Sequence, residues 1–277
     1  MKVSEFADKL GNSLKAVVKM AVSSRPTVKP RRGRGEDIVI LANGPSLAAT
    51  IEKRGAELAR RDTLCVNFMA NTPGMRQLKP DYYVLADPHF FNGVEHENVA
   101  QLWRNLASVD WPMTLLVPAR RRGRAAELLG EAPCVTLATF NFVGIEGFNW
   151  LENLAYGHGW AMPRPRNVLI PAIMAAISAG YKRIFIAGAD HSWLETIHVD
   201  EDNNVISVQP HFYKDSEAET KRSVSEYRGY RLHDILQSFY IAFSSYHRLS
   251  RFAASRGIEI FNSTPGSFID AFPRRDF

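Results

Sequence analysis

Residues 38–42, Ile38-Val39-Ile40-Leu41-Ala42, form an unbroken apolar run of strand length with no polar side chain placed to face water. A strand whose residues alternate has one wet face. A strand that does not alternate is covered on both faces, the usual condition in a parallel sheet with helices above and below it. Runs of the same kind recur at Leu64-Cys65-Val66, Tyr82-Tyr83-Val84-Leu85, Met113-Thr114-Leu115-Leu116-Val117, Ile184-Phe185-Ile186-Ala187 and Ile258-Glu259-Ile260-Phe261. Helical periodicity separates many of them, at 47–60, 98–107, 168–179 and 230–256. The alternation predicts an α/β fold, a doubly wound and mostly parallel sheet with helices on both faces.

Before the first strand, residues 3–22 place Phe6, Leu10, Leu14, Val17, Val18 and Val22 at helical spacing, with Lys9, Lys15 and Lys19 among them. This predicts an amphipathic helix over 1–24 whose apolar face docks on the body or in a homo-oligomer in preference to a membrane surface, since its charge is moderate and no Trp anchors that face. Residues 25–36 interleave Arg25, Lys29, Arg31, Arg32 and Arg34 with Pro and Gly, and read as a basic, mobile linker. The main domain is then 37–277. Within it, Ile197-His198-Val199 and Val205-Ile206-Ser207-Val208 flank an Asp/Asn turn and read as a β-hairpin. The hairpin opens an insertion of about 191–229 that overhangs the strand ends as a lid.

Composition narrows the class. Apolar residues make up 45% and charged ones 23%, ordinary globular usage that excludes disordered or collagen-like chains. No run approaches the roughly 18 apolar residues of a membrane span. The start, Met1-Lys2-Val3-Ser4-Glu5, lacks the apolar core of a signal peptide. Cys65 and Cys134 lie in apolar surroundings and read as reduced, buried thiols. The expected location is cytoplasmic, with peripheral contact at the inner face of the membrane through the basic segments. The net charge of +5 favours an anionic partner. Arg120-Arg121-Arg122-Gly123-Arg124 has neither the aromatic interleaving of a single-strand binder nor a DNA-reading motif, so no specific nucleic acid is expected.

In an open α/β sheet, ligands bind beyond the carboxyl ends of the strands, where the strand order reverses. The loop Asn43-Gly44-Pro45-Ser46 joins the first strand to a helix. Gly44 permits close backbone approach, Pro45 suits a first helical turn, and the helix start offers N–H groups to a phosphate. Asn43 and Ser46 add neutral hydrogen-bonding groups. Other strands end in Asn67, in Asp87 and in Asp190-His191, while Asn167 opens the helix over 168–179, where it either caps the helix or faces the crevice. His211 and Tyr213 follow the hairpin. His211 is a candidate general base and Tyr213 a donor to phosphate, with His191 the competing base. Asp200 to Asn204 lacks the glycine and the distant glutamate of an EF-hand loop and reads as a turn.

Asn43-Gly44-Pro45-Ser46-Leu47 after an apolar strand, Asn67 after the second, Gly180-Tyr181-Lys182 before Ile184 through Asp190, and Ser263-Thr264-Pro265-Gly266-Ser267 after a late strand occur in that order across about 37–272. In these features the chain resembles the bacterial CMP-sialic acid sialyltransferases and the wider 6-hydroxymethylpterin pyrophosphokinase-like (MptE-like) group of Rossmann proteins. The resemblance implies a Rossmann-like fold and nucleotide contacts from Asn43, Gly44, Ser46, Asn67, Ser263 and Thr264. It also implies sugar transfer without a metal, a Tyr pair on the leaving phosphate and a His base, for which Tyr213 and His211 are the nearest matches. The chain departs from the sialyltransferases at Asn167-Val168-Leu169, where they have Thr-Ser-Gly, and at Asp87, where an Asn is expected.

The leading expectation is a glycosyltransferase that takes a nucleotide-activated sugar, most simply a CMP-linked acidic sugar, to a glycan or lipid-linked acceptor in bacterial surface glycan synthesis. It requires no cofactor. The alternative is an ATP-dependent pyrophosphokinase in which Asp87 and Asp190 hold Mg²⁺ between phosphates. A third is a non-enzymatic anion-binding protein.

Overall fold

A computed structural model describes residues 3–206 and 230–277. Seven strands form one parallel sheet: β1 (Asp37–Leu41), β2 (Asp62–Val66), β3 (Tyr82–Val84), β4 (Met113–Pro118), β5 (Val135–Phe140), β8 (Arg183–Ala187) and β11 (Glu259–Asn262). Short pairs β6 (Gly144–Ile145) with β7 (Met162–Pro163) and β9 (His198–Val199) with β10 (Val205–Ile206) lie outside it. The sheet order is β11-β8-β1-β2-β3-β4-β5, so the direction of winding reverses between β1 and β8. That boundary is the switch point at which an α/β sheet opens a crevice.

The unalternating strands are covered on both faces, as their sequence requires. Ile38 and Ile40 of β1 point into one buried cluster and Val39 and Leu41 into another. The first cluster includes residues of α7 (Asn149–Gly157), α8 (Leu169–Ser178) and α9 (Leu232–Ala254). The second includes residues of α2 (Ser46–Leu58), α3 (Gly74–Leu78), α4 (His89–Asn92), α5 (Glu97–Ala107) and α6 (Arg122–Leu129). These four apolar β1 side chains are fully buried, worth roughly 1.5–3 kcal/mol each.

The antiparallel β9–β10 pair, turned by Asp200 whose carboxylate accepts from the Asp202 and Asn204 amides, is the start of the expected hairpin. The remainder of the expected lid, with His211 and Tyr213, lies outside the described residues. Cys65 is buried as expected, whereas Cys134 is half-exposed, because it precedes β5 at the edge of the sheet.

Two expectations for the amino-terminal region are corrected. The linker is not a free arm: it runs along the outer edge of β5 and under the sheet. The Val28 carbonyl accepts from the Thr139 amide, and the Val28 amide donates to Thr139 Oγ1. Further on, Arg34 donates through its amide and Nε to Asp62 and pairs with Asp81 at 2.8 Å. An unpaired edge strand and two poorly solvated carboxylates explain why this basic segment stays in place. Burial raises the pKa of Asp81. Burial also acts upward on Asp62, but hydrogen bonds from Tyr181 and Arg34 outweigh it and hold that carboxyl below its ordinary value.

Helix α1 (Val3–Ser23) does form, but it docks through Ser13 and Ala16, with Met20 against the core and Phe6 against Phe148, while most of its apolar face stays exposed. A Cβ at Gly147 would stand 2.4 Å from Ser13 Oγ, so the seat admits only small residues.

Candidate functional site

The carboxyl ends of β1 and β8 come together so closely that the crevice floor is built on glycines. The Gly44 amide donates to the Gly188 carbonyl at 2.7 Å, extending the β1–β8 pairing past the last strand residues. A Cβ at Gly44 would lie 2.6 Å from the Gly188 carbonyl oxygen and 2.0 Å from Asp190 Oδ2. Gly188 sits at φ +72, in the left-handed region, and a Cβ there would stand 2.6 Å from the Ala42 carbonyl oxygen.

Asp190 closes this junction. Its Oδ2 accepts from Ser46 Oγ at 2.9 Å and from the Ser46 amide at 3.4 Å, at the start of α2. The helix terminus therefore carries a carboxylate from its own chain where the sequence suggested a phosphate. Pro45 precedes α2 with φ −60, the geometry its ring favours.

Asn43 is the residue with an unmet valence. Its side chain is buried; Nδ2 donates to the Val66 carbonyl at 3.2 Å, tying the end of β1 to the end of β2, while Oδ1 has no hydrogen-bond partner. Beside that tie, Asn67 adopts φ +51 and accepts at its carbonyl from the Tyr83 hydroxyl. The Asn67 carboxamide is half-buried and has no partner among the described residues. Buried amide oxygens are nearly always paired, so the unpaired Asn43 Oδ1 stands out among the groups at the switch point.

A second cluster lies behind Asp190. His191 has φ +55 and is almost fully buried, with its ring 4.2 Å from that of Trp193. Its Nε2 is 2.6 Å from the Tyr246 hydroxyl, to which Asn167 Nδ2 donates at 2.7 Å. Asn167 Oδ1 meanwhile accepts from the Leu169 amide, capping α8. The chain runs from the Asn167 carboxamide through the Tyr246 hydroxyl to the imidazole, so Asn167 caps α8 and spends the rest of its carboxamide on Tyr246. Burial pulls the His191 pKa from 6.5 down to about 3. An imidazole so poorly basic stays neutral and is a weak acceptor of a proton near neutral pH. Burial also raises the Tyr246 hydroxyl.

The other candidates serve the fold in this state. Asp87 Oδ1 accepts from the His89 amide at 2.8 Å and starts α4. Ser263 Oγ donates to the Arg275 carbonyl, and Thr264 Oγ1 donates to the Ile186 carbonyl and accepts from the Ala189 amide, pinning β11 and the last loop to β8. The structure thus brings Asn43, Gly44, Ser46, Asn67 and Asp190 to the switch point and places His191 and Asn167 behind it. No three His, Cys, Asp or Glu side chains converge as a metal site among the described residues.

Sequence reading passed over Tyr246, which lies on the apolar stripe of α9 between Phe243 and Leu249. The available signal was its hydroxyl: a tyrosine on a buried stripe requires a polar partner, which His191 and Asn167 supply.

No protein-family model matches the chain, and no curated protein matches it in sequence. Among solved structures it is similar to the MAf glycosyltransferase of Magnetospirillum magneticum AMB-1, at 13% identity and a TM-score of 0.48 over 99% of this chain. The alignment spans 39% of that longer protein.

Proposed function

We propose that the chain is a glycosyltransferase that seats a nucleotide-activated sugar, a CMP-linked acidic sugar in the simplest case, over the β1–β8 switch point. The observation that carries this reading is the buried Asn43 Oδ1 without a partner, on the Asn-Gly-Pro-Ser turn that resembles the nucleotide-binding turn of the sialyltransferases. An amine or hydroxyl of the nucleotide would donate to it, and Asn67 lies close enough in the fold to share the same nucleoside. Neutral amides suit a base or ribose. The charged phosphate must in turn avoid or displace the Asp190 carboxylate that now occupies the α2 terminus.

The reaction is direct displacement. The acceptor hydroxyl attacks the anomeric carbon of the sugar, the bond to the phosphate oxygen breaks, and the nucleotide leaves with that electron pair. A base takes the hydroxyl proton. His191 is a poor candidate in its buried, weakly basic state, so the base role is assigned to His211, with Tyr213 donating to the leaving phosphate. The nucleoside test is direct: thermal stabilisation by CMP without added metal supports the transferase, whereas stabilisation by ATP only when Mg²⁺ is present supports the pyrophosphokinase.

A further inference from the structure

Beyond Phe6, which meets Phe148, helix α1 turns its apolar stripe away from the protein. Its seat is made by Ser13, whose Oγ accepts from the Phe148 amide, by buried Ala16, and by Lys19, which donates to the Gly144 carbonyl. With that face fixed, Leu14 and Val18 are each 63% exposed, Val22 is 64% exposed, and Leu10 and Val17 lie beside them in solvent. An ordered helix that offers a row of aliphatic side chains to water implies a covering surface.

The surroundings say which kind. Lys15 and Lys19 lie on the helix and Arg25 follows it, while Arg120 donates to the Val22 and Ser23 carbonyls at its carboxyl end. Lys19 is held below its ordinary pKa first by burial and then by the nearby charges of Arg164 and Arg166. The acidic residues of the helix, Glu5 and Asp8, are confined to its amino end. Two exposed tryptophans belong to the segments that meet the helix ends. Trp160, whose carbonyl accepts from Ser24 Oγ, is 45% exposed, and Trp150, two residues past the Phe148 ring that meets Phe6 at 5.5 Å, is 66% exposed.

Aliphatic residues on one helix face, exposed indoles and a basic fringe match the boundary between headgroups and acyl chains of an anionic bilayer. A two-fold pair of chains would instead bring two copies of the same basic fringe to one interface, a repulsive arrangement. No described helix is long and apolar enough to cross a membrane, so the helix would lie in the interface plane. We propose that α1 is an anionic-lipid docking element that rests the molecule on a membrane surface through Leu10, Leu14, Val17, Val18 and Val22. This follows from the surface alone and is independent of the chemistry of the crevice. The Arg25 amide donates to Asn141, just past the carboxyl end of β5, so the end of the helix lies at the outer edge of the sheet, several strands from the crevice.

The test is sedimentation of the full chain with vesicles of phosphatidylcholine, with and without about a third phosphatidylglycerol. The expected result is binding to the anionic vesicles that falls steeply with salt and weakens at least about tenfold in Leu14→Asp/Val18→Asp, with an unchanged melting temperature because both side chains are exposed. Lys15→Glu should weaken it several-fold. Equal sedimentation of the wild-type and double-Asp proteins would overturn the proposal. So would failure of the wild-type chain to bind anionic vesicles, above all if light scattering showed a dimer that the double substitution splits, which would give the face to a second copy.

Discussion

Gly188→Ala tests the apposition on which the crevice rests. The substitution adds one methyl group at φ +72, where a non-glycine residue costs about 1–2 kcal/mol. It also drives that methyl to 2.6 Å from the Ala42 carbonyl and 2.8 Å from Leu47 Cβ, an overpacking typically worth about 1–3 kcal/mol. Together these predict a loss of about 2–5 kcal/mol, a large part of the roughly 5–15 kcal/mol that stabilises most domains. Gly159→Ala is the control. Gly159 has φ +68 and nothing within 4 Å of the place its new methyl would take, so it should show only the conformational part, about 1–2 kcal/mol. Urea unfolding of both variants separates the two contributions through their midpoints. If Gly188→Ala is no more destabilising than Gly159→Ala, the ends of β1 and β8 are not in the close contact described, and the site built on them loses its floor.

Other consequences can be checked separately. His191 must remain neutral in the fold, with its pKa near 3 against an ordinary 6.5; the unfolded chain therefore binds the extra proton as pH falls between those values. Stability should fall over that window by up to about 1.4 kcal/mol per pH unit, and His191→Gln should remove that part of the slope in pH-dependent denaturation. Tyr246→Phe strips the hydroxyl shared by His191 and Asn167 and should cost about 1–3 kcal/mol by chemical denaturation. His211→Ala should slow sugar transfer on the order of 10²–10⁴-fold with nucleotide affinity nearly unchanged; full activity in that variant would remove His211 from the base role. Deleting residues 1–34 should lower the melting temperature further than deleting 1–24. Only the longer deletion removes the Val28–Thr139 pairing and leaves Asp62 and Asp81 without Arg34.

The parallel sheet was legible because a strand covered on both faces leaves no alternation; β1, β2, β3, β4 and β8 carry that mark, and β11 does so past the exposed Glu259. Strand β5 escaped notice for the opposite reason. At the edge of the sheet, Val135 to Phe140 interleaves threonines with apolar residues and is half-exposed over its first part. The rim of polar residues was also legible, since parallel strands bring their carboxyl ends to one side. What those residues touch was not, because it depends on loops far apart in the chain. Asp190 reaches Ser46, 144 positions away, and Thr264 reaches Ala189. The docking of α1 misled for a related reason: its apolar face was the obvious one to bury, but the close approach at Gly147 is made by the small Ser13, with Ala16 buried one turn on.

The central claim is that a nucleotide completes the hydrogen bonding of Asn43, and differential scanning of the wild-type chain and Asn43→Ala with CMP tests it most directly. At about 100-fold excess over Kd, a ligand that binds only the folded state adds about 2.7 kcal/mol, equivalent to several degrees of melting temperature in a chain of this size. The expected result is such a rise for the wild-type protein without added metal, and its loss in Asn43→Ala despite a folded baseline. A rise of equal size in both proteins, or no rise with CMP in the wild-type chain, would contradict it.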